Sequence, residues 1–392
     1  MYSIKNIKVW KTMLCPEEII KSVFTIILIK SHKMKLKNII YLFAFSLLFV
    51  SCTKTEDTPD YGKYGAGVLI SNEGTFGAGN GSISYYSPDT DSVTNEIFQF
   101  ENSRSLGDIV QSVNKIGDYV FIQVNNSNKI EVVDAKSFVE MGVIQELTQV
   151  RYAIGDENTV YASAWGTWGA DGKVYIIDVN TLTVTDSVAT GLGPEAMVLL
   201  EDKLFVANSG GWGFDNTVSV IDPTNKTVLQ TIEVGANPKS MVVDKDENLW
   251  VLCSGSALYD ANWTPIGHNP SKLIQINPST NAIIKEVSLF AEQHPSKLAI
   301  NPNGNLLYIG AGFGFNGIYT IDINDATFAE TQLINKSFYG FDINPEDGVI
   351  FGYEALNFTE RGKLYRFNES GSELGNYLVG IAPNGSSLKR DK

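Results

Sequence analysis

Apolar and polar positions alternate along this chain in a short phrase that closes on a small polar residue. It reads Ile83-Ser-Tyr-Tyr-Ser87, Ile130-Glu-Val-Val-Asp134, Val174-Tyr-Ile-Ile-Asp178, Val218-Ser-Val-Ile-Asp222, Leu273-Ile-Gln-Ile-Asn277, Ile318-Tyr-Thr-Ile-Asp322 and Leu364-Tyr-Arg-Phe-Asn368. The closing residues lie 47, 44, 44, 55, 45 and 46 residues apart. Alternation with period two, bounded by Asp, Asn, Pro and Gly, predicts a half-buried antiparallel strand at each phrase. A second apolar run precedes every phrase, at 68–70, 119–124, 160–162, 204–207, 249–252, 306–309 and 349–351. Shorter runs stand before several of these, at 196–200, 240–243 and 297–300. After the phrase comes a more polar alternating strand, as at 227–234. Four strands in a repeat of mid-forties length match one propeller blade, and stacked blades bury what each leaves exposed. Residues 65–390 are therefore expected to form an all-β, seven-bladed propeller of four-stranded antiparallel blades. The chain enters mid-blade at Val68, so the missing inner strand is expected from the C-terminal end, around Asn384 to Lys389.

The N-terminal part lacks this pattern. Met34-Lys-Leu-Lys37 is a basic start, residues 39–50 are apolar, and Val50-Ser51-Cys52 follows. That succession predicts a lipoprotein signal peptide over 34–51, with lipid on Cys52. Phe49 stands where such cleavage sites usually carry Leu. Translation is expected to begin at Met34, leaving 1–33 as a mis-assigned extension, and the polar stretch 52–64 reads as a flexible tether. No apolar run after Val50 is long enough to cross a bilayer.

Charge narrows the partners. Loss of residues 1–51 removes eight Lys and two Glu, which takes the formal charge from −14 to about −20. So acidic a protein repels nucleic acid and anionic headgroups, and only the lipid at Cys52 would hold it to a membrane. Of three cysteines, Cys253 alone lies in the repeats, within Leu249-Trp-Val-Leu-Cys253, and reads as a small core residue.

Strand direction places on one rim both the loop between second and third strands and the loop entering each inner strand. The first set joins glycine to aromatics: Asn72-Glu-Gly-Thr-Phe-Gly, Ala164-Trp-Gly-Thr-Trp-Gly169, Ser209-Gly-Gly-Trp-Gly-Phe214 and Ala311-Gly-Phe-Gly-Phe315. The longest, 254–269, carries Tyr259, Trp263 and His268 and accounts for the 55-residue interval. Hairpins need only two to five residues, so the excess is not required by the fold. Phe76, Trp165, Trp168, Trp212, Phe214, Trp263, Phe313 and Phe315 are expected to crowd one channel mouth as a binding surface. Asn72, Glu73, Arg104, Arg151, Glu195, Lys239, His294 and Tyr339 are its candidate polar partners.

Reactive constellations are scarce. His268 and His294 are the only histidines in the repeats, and neither a Ser/His/Asp arrangement nor a His cluster of metal-binding spacing is present. No resident cofactor is expected. Calcium is the one ion the sequence accommodates, through Glu73, Asp108 and Glu195. None of the glycine-rich loops opens a helix, as phosphate-binding loops must.

Val218-Ser-Val-Ile-Asp-Pro-Thr and Asn237-Pro-Lys-Ser-Met resemble the YncE/YVTN-type propellers. Asn72-Glu-Gly, Gly79-Asn-Gly-Ser-Ile-Ser84, Leu106-Gly-Asp108, Asn125-Asn-Ser-Asn-Lys-Ile-Glu-Val-Val-Asp134 and Val150-Arg-Tyr152 resemble a group of Bacteroidota surface lipoproteins. That group includes the BtuG-type cobamide-binding propellers. Val150 stands where Pro is expected before Arg-Tyr. The resemblance implies a non-enzymatic protein, lipid-anchored at the outer membrane and facing the exterior, with the periplasmic face as the alternative. Its implied ligand is a corrinoid and its implied partner a TonB-dependent transporter. Two other classes also fit the residues: a calcium-dependent lactonase or lyase, and a surface-layer or adhesion module.

Overall fold

A computed structural model describes residues 62–64 and 67–388. They form seven four-stranded antiparallel sheets, whose strands follow one another from the channel outward except in blade 1, which takes its inner strand from the C-terminal end, and blade 5, which carries an inserted hairpin. Blade 1 is composite: Val68–Asn72, Ser82–Ser87 and Ser92–Thr94 are its second, third and outer strands, and Pro383–Ser387 is its inner strand. The C-terminal segment thus closes the ring, where the sequence placed it. Ser71 Oγ donates to the carbonyl of Gly385 (3.1 Å), and the Ser386 N–H to Asp342 of blade 7 (2.9 Å). The inner strands of the other blades are Val110–Ile116, Val150–Gly155, Pro194–Leu200, Pro238–Val243, Lys297–Ile300 and Gly340–Ile343.

Each recurring phrase is a third strand, and its last residue has a structural task. The carboxylate of Asp134 accepts from the Ser137 N–H (2.8 Å), Asp178 from Thr181 (2.8 Å) and Asp222 from Asn225 (2.9 Å). Asn277, Asp322 and Asn368 do the same for the turns that follow them. A short acceptor there satisfies turn amides that the sheet leaves unpaired, which explains why six of the seven phrases end in Asp or Asn, Ser87 of blade 1 being the exception. Donors from the Thr181 backbone hold the Asp178 carboxyl below the usual carboxylate range, and those of Asn225 do so for Asp222.

Apolar residues of adjacent blades interlock between the sheets. Phe205, Val218 and Val220 of blade 4, for example, meet Val251 and Ile274 of blade 5. Cys253 lies in that layer, fully buried, and burial pushes its thiol up to about 12. A short helix, Ile97–Asn102, buries Ile97 and Phe98 ahead of blade 2. Within blade 5 an extra hairpin, Ser256–Tyr259 with Pro265–Asn269, forms the long insertion.

The extension, the signal peptide and Cys52 lie outside the described residues, as does most of the tether. Its end does not behave as a tether. Tyr64 is buried against Tyr85 and Phe138 and donates to Glu101 (2.6 Å), because an aromatic ring there completes the blade 2 cover.

Candidate functional site

Where the inner strands begin, five blades share one irregularity. Asn384, Gln111, Arg151, Glu195 and Lys239 each occupy a β-bulge at the start of the inner strand, in blades 1 to 5. The residue two before each is left-handed: Ala382 (φ 51°), Ile109 (φ 58°), Gln149 (φ 58°), Gly193 (φ 59°) and Asn237 (φ 58°). Such backbone costs a β-branched residue like Ile109 about 1–2 kcal/mol, so the surrounding structure holds it in place. A bulge adds one residue and re-aims its side chain. Here all five side chains line the axial channel, and Ser296 and Tyr339 of blades 6 and 7 join them. The result is a funnel of about 350 Å³ ringed by one residue from every blade.

The ring is charged and mostly paired. Arg151 donates through Nε and Nη2 to both oxygens of Glu195 (3.1 Å each) and through Nη1 to Gln111. Its guanidinium lies 4.2 Å from the Trp165 ring centre. Below the ring, Lys297 pairs with Asp342 (2.9 Å). Glu73 reaches in from the second-to-third loop of blade 1 and accepts from Asn384 Nδ2 (3.0 Å) and Tyr339 Oη (3.2 Å). Burial raises its carboxyl above the usual range, against those two donors and the more distant Arg151. Burial likewise raises the hydroxyls of Tyr339 and Tyr152. Lys239 differs from its neighbours. Among the described cations of the funnel, it alone has no carboxylate within ion-pair distance, and desolvation lowers its ammonium despite attraction from Glu195.

Aromatic side chains continue from the ring onto the rim. Trp165 meets Trp212 edge to face at 5.4 Å, and Trp212 meets Trp168 at 5.9 Å. Each loop is held to the inner-strand entry of its own blade, with the Trp165 N–H on the Gln149 carbonyl and the Ser209 N–H on that of Gly193, and Trp212 Nε1 donates across to the Gly166 carbonyl (3.4 Å). Across the mouth Phe313, 87% exposed, neighbours Phe358, which packs on Tyr339 at 5.1 Å.

The structure sorts the sequence candidates. Glu73, Arg151, Glu195, Lys239, Tyr339 and Phe313 line the funnel, and Trp165, Trp168 and Trp212 adjoin it. Phe76, Phe214, Trp263 and His294 do not reach its lining. Trp263 stands at the hairpin tip, and His294 turns to His268. Three candidates leave the mouth. Asn72 is fully buried, donating to Ser84 Oγ (3.0 Å) and accepting from the Gly380 N–H (3.1 Å), so it ties blade 1 to blade 7. Phe315 is core, edge to face with Phe290. Arg104 pairs with Glu131 (2.7 Å) and Glu140 (2.8 Å) over Phe98, on the third and outer strands of blade 2. The proposed calcium ligands do not converge either: Asp108 accepts from the Gly77 N–H (3.0 Å) and Glu195 is taken by Arg151. Among the described residues no three His, Cys, Asp or Glu side chains stand where one metal ion could bind. Gln111, Ser296 and Asn384 are ring residues that no local sequence pattern singled out. The residue after Pro or Val at each inner-strand entry, compared across blades, was the available signal for most of the ring.

Fold and site together define a seven-bladed propeller with a polar, ringed funnel at one end of its channel and an aromatic rim beside it. The chain belongs to the family described as "Domain of unknown function (DUF5074)", matched over residues 66–374. No curated protein matches it by sequence. Solved structures share the fold at low identity. A quinonprotein alcohol dehydrogenase-like protein from Bacteroides thetaiotaomicron superposes with a TM-score of 0.60 at 15% identity, over 83% of this chain and 78% of that one. The periplasmic gluconolactonase of Pseudomonas aeruginosa gives 0.58 at 13%, over 82% and 98%. A functionally unknown protein from Desulfotomaculum acetoxidans gives 0.60 at 12%, over 83% and 99%. At such identities the likeness is one of fold, and chemistry must be argued from the site.

Proposed function

We propose that this protein binds rather than transforms its ligand. In this reading it is a lipoprotein anchored through Cys52 at the outer membrane, facing the exterior. It captures a cobamide-like nutrient and passes it to a TonB-dependent transporter. The observation that carries the reading is Lys239, an unpaired ammonium in a ring of otherwise paired groups, set in a mouth flanked by the Trp165, Trp212 and Trp168 cluster. An unpaired cation in a partly desolvated ring favours a ligand with an anionic group, and flat aromatic faces favour a large, partly apolar body. A cobamide offers both, with amide arms besides. At about 350 Å³ the funnel is small for such a ligand. One arm would enter the ring while the macrocycle rests on Trp165, Trp168, Trp212 and Phe313. The strained bulges hold the ring in place before the ligand arrives, which lowers the ordering cost of capture.

Titration of cobalamin into the protein, followed by heat and by the corrin absorption bands, tests this reading. Saturable binding at micromolar or lower concentration is expected, with Lys239→Met weakening it about 10- to 100-fold through the lost charge-assisted contact. No heat and no spectral shift at micromolar protein would contradict it.

A further inference from the structure

The two histidines of the described chain come from different loops and meet each other. His268 lies on the second strand of the blade 5 hairpin, and His294 on the loop entering the inner strand of blade 6. Nδ1 of His268 and Nε2 of His294 are 3.0 Å apart, with the rings stacked at 5.2 Å. On its far side His294 Nδ1 lies 2.9 Å from the Ser254 carbonyl. A carbonyl only accepts, so Nδ1 of His294 carries the proton and its Nε2 presents a bare lone pair to His268. This is the arrangement by which proteins orient metal-binding imidazoles: one nitrogen donates to a carbonyl and the other is left free for the ion. Two nitrogens at about 2.0–2.1 Å from one ion stand about 2.9–3.3 Å apart for bond angles between square and tetrahedral, which brackets the separation found here.

We propose that His268 and His294 form a two-histidine site for a borderline divalent transition metal, Cu²⁺, Ni²⁺ or Zn²⁺, with water completing the coordination. An incoming ion takes the lone pair of His294 Nε2, and His268 shifts its proton from Nδ1 to Nε2 through solvent so that both rings stay neutral, while the Nδ1–H of His294 keeps donating to the Ser254 carbonyl. The ion would staple the hairpin to the blade 6 loop. That hairpin carries Tyr259 and Trp263 at its exposed tip, and the blade 6 loop leads two residues on to Ser296 of the funnel ring. The staple therefore restrains a hairpin whose tip carries two exposed aromatic rings. It is independent of whether the funnel binds a cobamide.

The test is calorimetric titration of the full chain with CuCl₂ and with NiCl₂ in a weakly coordinating buffer. It is repeated on His268→Ala, His294→Ala and the double variant, with circular dichroism confirming that each remains folded. One equivalent bound at micromolar affinity is expected. Each single variant should lose at least tenfold and the double variant no more than the weaker single. Bound Cu²⁺ should also quench Trp emission in the wild type and not in the double variant. Equal binding by wild type and double variant, or binding that survives either single substitution, overturns the proposal.

Discussion

Removing the carboxylate of Glu195 isolates the Arg151 guanidinium. Arg151 and Glu195 side chains are 15% and 5% exposed and share two charge-assisted contacts of 3.1 Å. Breaking such a buried pair from one side costs about 3–5 kcal/mol, because the surviving charge is left without its partner. Here Arg151 keeps its bond to Gln111 and the face of Trp165, so the lower end, about 3 kcal/mol, is expected for Glu195→Ala. Removing both charges behaves differently, since the desolvation cost of the pair disappears with its attraction. Arg151→Met with Glu195→Leu should cost about 1 kcal/mol or less. Urea titration followed by Trp emission measures Glu195→Ala, the double variant and its two single variants, Arg151→Met and Glu195→Leu, at constant slope. A coupling energy of about 2 kcal/mol or more between the two positions is expected. A loss below about 1 kcal/mol for Glu195→Ala, or additive single and double losses, would refute the reasoning.

Other consequences follow from the same geometry. Glu73 has a raised carboxyl, so the folded state holds its proton to higher pH than the unfolded chain, and ionisation weakens the fold as pH climbs above the ordinary Glu range. Glu73→Gln should therefore stabilise the protein at pH 7, with the gain fading towards pH 4 in urea titrations; a gain that grows on acidification would contradict this. Gly193 is left-handed, and a Cβ there would meet the Gly211 nitrogen at 2.0 Å. Gly193→Ala should cost about 2 kcal/mol or more by thermal unfolding and disturb the Trp165–Trp212 contact seen in near-ultraviolet dichroism. Cys253 should resist thiol reagents in the folded state and label only in denaturant, as peptide mapping would reveal, because burial disfavours its thiolate.

How much of this the sequence made legible depends on how local each signal is. Blade count, strand order and the C-terminal latch all follow from period-two alternation and the mid-forties spacing, both readable from neighbouring residues. Phe313 and Phe315 show where local reading fails. They sit two apart on one glycine-rich loop, yet one is 87% exposed and the other is core beside Phe290. Which ring turns inward depends on residues of the outer-to-inner connection, far away in sequence. Arg104 failed similarly. Nothing near it signals that Glu131 and Glu140, on later strands, would hold it at the edge of blade 2. Arg151, Glu195 and Lys239 read locally as isolated loop charges, and only the strand register reveals them as equivalent positions of one ring. Asn384 belongs to that ring although 273 residues separate it from Gln111, because the latch carries it there.

The most direct test of the central claim is a crystal structure of the protein soaked with cobalamin. Corrinoid density is expected on the aromatic rim, with one arm inside the ring formed by Asn384, Gln111, Arg151, Glu195, Lys239, Ser296 and Tyr339, and an anionic group facing Lys239. A saturated crystal with an empty funnel, or with cobalamin bound away from this ring, would contradict it.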